Sequence, residues 1–75
     1  MPKSALVKAQ LRRRKSVGCT IGEIHQETGI FYNEANTIMQ ELVSKGEATT
    51  KKQVNGETAT RMSVSLKMEP VYVIS

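Results

Sequence analysis

The side chains best suited to specific polar chemistry lie between Thr28 and Ala48. Asn33, Asn36, Thr37 and Gln40 recur at i, i+3, i+4 and i+7. On a helix they share one face about 10 Å long, at a rise of about 1.5 Å per residue. Asn and Gln each carry a donor and an acceptor. They can bind the edge of adenine bidentately, each good pair contributing roughly 1–3 kcal/mol of discrimination. Lys and Glu would serve solubility better at such positions. The competing reading is a plain polar face, with Asn33 as a helix cap. A second candidate group is cationic: Lys51, Lys52 and Arg61, with Lys45 and Lys67 behind them. Lysines there can contact phosphates or keep an exposed hairpin from pairing with other edges.

Other chemistry is sparse. His25 has no Cys or carboxylate at ligand spacing and reads as a surface or core-edge histidine. Cys19 is the only cysteine, which excludes an intrachain disulfide and a Cys-based metal site. It reads as a small buried hydrophobe, with redox sensing as the alternative. No nucleophile–base pair, phosphate loop or metal set is visible, so neither an enzyme nor a cofactor is expected. The run Arg12 to Lys15 is the densest charge. It suits a helix C-terminus, or it could serve a partner or a second duplex.

The elements that must position these residues are legible as three helices and a hairpin. A first helix is expected over 4–15, capped by Ser4, with Leu6, Val7 and Leu11 on its apolar stripe. Val17 and Cys19 could form a very short strand. Thr20 and Glu23 fit a capping box that opens a second helix over 21–28. Gly29 is placed to end it as a left-handed cap. Ile21, Ile24 and Ile30 point inward. A third helix is expected over 33–45, starting on Asn33. Ala35, Ile38, Met39 and Leu42 form its buried face, and Gly46 closes it.

Asn55-Gly56 is the strongest tight-hairpin signal in the chain. A hairpin is expected over 47–67, with Met62, Val64 and Leu66 on the core face. A plain two-residue turn would split the apolar positions between faces. A three-residue loop or Gly bulge, pairing Ala48 with Val64 and Thr50 with Met62, keeps them together. The tip should project into solvent. The tail over 68–75 is apolar at Val71, Tyr72, Val73 and Ile74. It must pack on its own domain or on another chain, and it is the candidate homodimer interface.

Seventy-five residues bound this to a single domain over 1–75. A net charge of +4 and a pI near 9.5 favour a polyanionic partner without proving one. The N-terminus is too polar for a signal peptide, and no run reaches transmembrane length. A cytoplasmic protein with no membrane role is expected.

Helix, short helix, Gly turn, polar-faced helix and basic hairpin together resemble the winged helix-turn-helix family. "TIGEIHQETGI" from Thr20 to Ile30 is similar to its second helix and turn. "IMQELVSKG" from Ile38 to Gly46 is similar to its third helix ending, and Glu47 to Lys67 to its wing. The resemblance covers about Leu6 to Lys67 and is closest in size to small stand-alone regulators of bacteria, plasmids and phages. It implies an α+β fold, a three-helix winged helix-turn-helix with a C-terminal β-hairpin wing and a short apolar tail. It also implies sequence-specific double-stranded DNA binding, transcriptional regulation and a place in the bacterial cytoplasm or nucleoid. By position, base reading falls to Tyr32, Asn33, Asn36, Thr37 and Gln40. Backbone contact falls to Lys45, Lys51, Lys52, Gln53, Asn55 and Arg61.

The chain departs from the family where Phe31 replaces the usual Ser before the third helix. That helix also has no Arg. The alternative is a winged-helix adaptor that docks a larger regulator or polymerase through the same surface.

Overall fold

The computed structural model describes residues 2–63 and 66–75. The chain is α+β: three helices followed by antiparallel strands, an order consistent with a winged-helix-like fold. Helix α1 spans Lys3–Arg14. It starts one residue before Ser4, because the Pro2 carbonyl takes the first helical bond, from the Leu6 N–H at 3.1 Å. A single 3-10 turn, Lys15–Val17, follows. Helix α2 spans Ile21–Thr28 and has the full capping box. The Glu23 N–H donates to Thr20 Oγ1 at 3.2 Å, and Glu23 Oε1 accepts from the Thr20 N–H at 3.4 Å.

Helix α3 spans Tyr32–Ser44. Phe31 is its N-cap residue and offers no side-chain bond. Asn33 is therefore inside the first turn, not the cap expected from sequence. The far end is a Schellman closure. The Glu47 N–H reaches the Leu42 carbonyl at 2.8 Å, and the Gly46 N–H reaches Val43 at 3.0 Å.

The strands are organised differently from the expected hairpin. Strand β1 (Ala48–Thr50) pairs with β4 (Tyr72–Ile74), Ala48 opposite Ile74 and Thr50 opposite Tyr72. Strand β2 (Thr60–Met62) pairs with β3 (Met68–Pro70), Met62 opposite Met68. Between them a short ribbon carries the Asn55-Gly56 tip, joined by the Lys52–Thr58 bridge. The three ribbons meet in a closed ring of backbone bonds. Lys51 N–H donates to Val71 at 2.7 Å, Val71 N–H to Ala59 at 3.0 Å, and Ala59 N–H to Lys51 at 2.8 Å. Cys19 adds one isolated bridge on the other side of Tyr72; the short strand expected over Val17 and Cys19 does not form, because Val17 closes the 3-10 turn.

The hairpin expected over 47–67 is thus corrected. Thr50 pairs with Tyr72 rather than Met62; Val64, expected opposite Ala48, lies outside the described residues. The cause is burial. The tail brings Val71 and Tyr72 into the interior, where they are nearly inaccessible, whereas Met62 stays 55% exposed and Leu66 82% exposed. Alternation alone, which puts both on the core face, does not decide their burial. A three-residue loop does form at the tip. Gln53 N–H donates to Glu57 and Gly56 N–H to Gln53, with Gly56 at φ 86° as a Gly-bulge loop needs. It is centred on Asn55 and its ladder is short. Val54 at the tip is fully exposed.

The core joins Val7 and Leu11 of α1, Cys19, Ile21, Ile24, Ile30, Ala35, Met39, Leu42, Ala48 and Tyr72. Leu6 and Ile38 pack at its margin. Burial pushes the Cys19 thiol up to about 11, so it is a packing residue rather than a reactive one.

Candidate nucleic-acid interface

The outer face of α3 carries Asn33, Asn36, Thr37 and Gln40, all exposed. The helix is amphipathic by sequence, so burying Ala35, Met39 and Leu42 turns these four outward. They are not equally available. The Thr37 hydroxyl donates to the Asn33 carbonyl at 3.0 Å, a local bond common for Thr within helices. Gln40 Nε2 donates to the Tyr72 hydroxyl at 3.1 Å and approaches Asn36 Oδ1 at 3.4 Å. The Asn33 amide makes no side-chain hydrogen bond among the described residues. The face therefore presents an open Asn and two amides with remaining capacity.

Tyr32, also assigned to base reading, is 40% exposed, but its hydroxyl is taken up by Glu69, donating to Oε2 at 2.5 Å. That bond to a carboxylate, with some burial, pushes the phenol up to about 12. Glu69 is only 5% exposed. Its Oε1 accepts from the Gly22 N–H at 3.0 Å, in the first turn of α2, where the helix dipole favours negative charge. One carboxylate from β3 thus reaches both α2 and α3. Gly22 permits this approach: a Cβ there would lie 2.8 Å from Ser63 Cβ.

The bonds from Tyr32 to Glu69 and from Gln40 to Tyr72 fix α3 along the β3–β4 segment. Tyr32 and Gln40 are about 12 Å apart at about 1.5 Å per residue. Glu69 and Tyr72 are about 10 Å apart at about 3.3 Å per residue. The matching spans allow both bonds to form at once, so α3 is tied to the β3–β4 segment near its start and near its middle.

The tip residues divide. Lys52 Nζ donates to the Thr58 hydroxyl at 3.0 Å, and Asn55 Oδ1 accepts the Glu57 N–H at 3.0 Å, an Asx turn that shapes the loop. Lys45, Lys52, Gln53 and Asn55 are exposed, and Lys51 is half-buried. Arg61 is committed elsewhere. Its Nη1 reaches both Glu23 carboxylate oxygens, at 2.8 and 2.9 Å, and Nη2 reaches the Val17 carbonyl. The guanidinium expected at phosphate is thus bonded within the chain, to Glu23 and Val17. Arg14 completes the cluster on Glu23 and Glu27, at 3.0 and 2.8 Å. One residue of the basic run thus neutralises acids of α2.

The tail is likewise reassigned. Val71 and Tyr72 are buried in the chain's own sheet and core, and Val73 and Ile74 are half-buried. They do not form a free apolar strip for a second copy. His25 Nδ1 lies 2.8 Å from the Ile30 carbonyl, beside the turn between α2 and α3. No group of three His, Cys, Asp or Glu side chains among the described residues is placed to hold a metal ion. Among the described residues, no helix is long and apolar enough to cross a membrane.

Sequence reasoning missed Glu69 and Tyr72. The available signal was a lone acid inside the apolar run "MEPVYVI", a place where a carboxylate needs buried partners. Comparison of the chain with protein families, with curated proteins and with solved structures returns no match.

Proposed function

We propose that the protein binds double-stranded DNA sequence-specifically and regulates transcription. In this reading Asn33, Asn36, Thr37 and Gln40 meet base edges in the major groove. Lys45, Lys51, Lys52, Gln53 and Asn55 contact the backbone. Tyr32 acts through Glu69 rather than on a base. The observation that carries the proposal is the exposed amide row on α3, a helix tied to the β3–β4 segment through Tyr32–Glu69 and Gln40–Tyr72. Uncharged bifunctional side chains suit a groove lined with donors and acceptors, and the lysines beside them supply phosphate affinity. Such a role places the protein in the bacterial cytoplasm or nucleoid.

Titration of mixed-sequence duplex at two salt concentrations tests it. Three lysine–phosphate contacts predict a fall in affinity of roughly forty-fold between ~50 and ~200 mM salt. Absence of binding at the lower concentration would remove the proposal.

A second reading has its own support. Phe31 is 75% exposed at the start of α3, and Glu41 is exposed on the same helix. Helix α3 itself contains no Lys or Arg. An aromatic anchor beside an acidic flank suits docking onto a larger regulatory protein. Retention of a winged-helix shape with no duplex affinity would favour it.

A further inference from the structure

The opposite surface of the β1–β4 ribbon holds a feature that shares only Lys51 and Lys52 with the proposed duplex contact. Ala48 and Tyr72 face the core, so the alternation of strands turns Thr49 and Val73 outward. There a groove of about 520 Å³ runs between the 3-10 turn and β1. Val73, Ile74 and Thr49 contribute to its walls, with Lys15, Lys51 and Lys52 beside them and no acidic residue lining it.

We propose that this groove docks an extended acidic peptide segment of a partner protein, carrying aliphatic side chains between its carboxylates. Three observations select that chemistry. The first is charge. Lys3, Lys8, Arg14 and Arg61 are neutralised by acids, whereas Lys15, Lys51 and Lys52 have no ion pair among the described residues. Three of the seven cations without an ion pair among the described residues thus line the groove, which makes it complementary to an acidic partner.

The second is the half-buried Val73, turned outward, with Ile74 reaching only the groove's edge because it packs against the core. A phosphate backbone would leave the exposed methyl groups uncovered, whereas an aliphatic side chain covers them. The third is the backbone of Lys15, held at φ 51° and ψ −126°, a region that glycine populates and L residues avoid. A lysine occupies the position after α1 where Gly would relieve that strain. Strain tolerated at one charged side chain points to use of that side chain.

The test is an NMR titration of the isotope-labelled full chain with a synthetic peptide in which glutamates flank two leucines. Amide shifts are expected at Lys15, Thr49, Lys51 and Val73. Lys15→Glu should weaken binding roughly tenfold, the size of a close charge reversal. Replacing the leucines by serine should weaken it severalfold. Lys15→Gly separates binding from folding: its melting temperature should equal or exceed the wild type while the peptide binds less well.

The proposal is overturned if the serine peptide binds equally, since charge alone would then act. Shifts confined to α3, or no shifts at all, would also overturn it. So would the same shifts appearing with protein concentration and no peptide, which would assign the groove to a second copy. Duplex affinity does not enter these measurements, so their failure is distinct from failure of the DNA-binding reading.

Discussion

In the proposed reading, the outer face of α3 and the tip that follows β1 divide the requirements of duplex recognition between them. The helix face offers Asn33, Asn36 and Gln40 but little charge, and Glu34 in its first turn is already paired with Lys3 at 2.5 Å. The tip offers Lys51 and Lys52 but few groups able to distinguish one base from another. Contacts that specify and contacts that bind are different in kind, and here they sit on different elements. The joint between those elements then matters as much as either surface. It consists of the tail strand and of Glu69, so the perturbations with the largest effects should act there.

Truncation after Pro70 removes Val71 and Tyr72, both bridges of Tyr72 to its neighbours, and one side of the backbone ring at Lys51 and Ala59. It should abolish cooperative thermal unfolding, measured by circular dichroism. A folded truncated chain would show that the helices and tip stand without the strand. The milder Tyr72→Ala should cost about 3–5 kcal/mol, as for other large aromatic truncations in cores. It should also release the Gln40 amide.

Glu69 comes next. Glu69→Ala leaves the Gly22 N–H and the Tyr32 hydroxyl without this acceptor, at about 1–3 kcal/mol for groups left unsatisfied. Tyr32→Phe should cost less, because it removes one donor and leaves Glu69 its bond to Gly22. A pH titration gives a separate signature. Tyr32 is raised from 10.0 to about 12 by its bond to Glu69. The folded state thus holds its proton where the unfolded state has lost it. This stabilisation is complete below pH 10 and is lost as the pH rises through about 12. The melting temperature of the wild type should therefore fall relative to Tyr32→Phe across that window. Parallel curves would show that the hydroxyl–carboxylate bond is absent in solution.

The same joint explains which parts of the molecule could be read from the chain. Thr20 and Glu23 meet within one turn, and Gly46 closes α3 through residues three and five positions away. Such signals are local, so α2 and the end of α3 stood where their residue types put them. Asn55-Gly56 is equally local and does make the tip. The strand partners were not legible, because alternation at Met62, Val64 and Leu66 competed with alternation at Tyr72 and Ile74. Only contact with the helical core decides which pattern is buried. Glu69 illustrates the limit for the candidate site. Its role depends on a backbone N–H in α2 and a hydroxyl in α3, separated from it by 47 and 37 residues. The exposed amides were legible because one helix face needs only a period.

Substitutions on the two surfaces themselves should then separate. Asn36→Ala with Gln40→Ala should lower discrimination between a preferred duplex and a scrambled one by about 1–3 kcal/mol per lost bidentate pair. The salt dependence should be unchanged. Lys51→Ala with Lys52→Ala should weaken all duplexes alike and reduce the steepness of that dependence by about two contacts. Competition binding with both duplexes at several salt concentrations reads the two effects at once. If the amide pair changes the salt slope, or the lysine pair changes sequence preference, the division of labour between helix and tip is wrong.

The smallest effect has the most diagnostic sign. Glu41 is exposed on α3 and has no ion pair among the described residues. It lies four residues before Lys45, an arrangement that supports a helix by about 0.2–0.5 kcal/mol. Glu41→Gln should therefore lower the melting temperature slightly. If α3 lies in a groove between phosphate chains, the same change removes a repulsion and should raise duplex affinity severalfold at low salt, with the gain shrinking as salt screens the charge. Stability and affinity would then move in opposite directions, which no general loosening of the helix can produce. If α3 instead docks a basic surface of a larger protein, Glu41 is an attractive contact, and its removal should weaken that complex. Duplex measurements on this one variant, set beside its melting curve, decide which kind of surface the amide face has to meet.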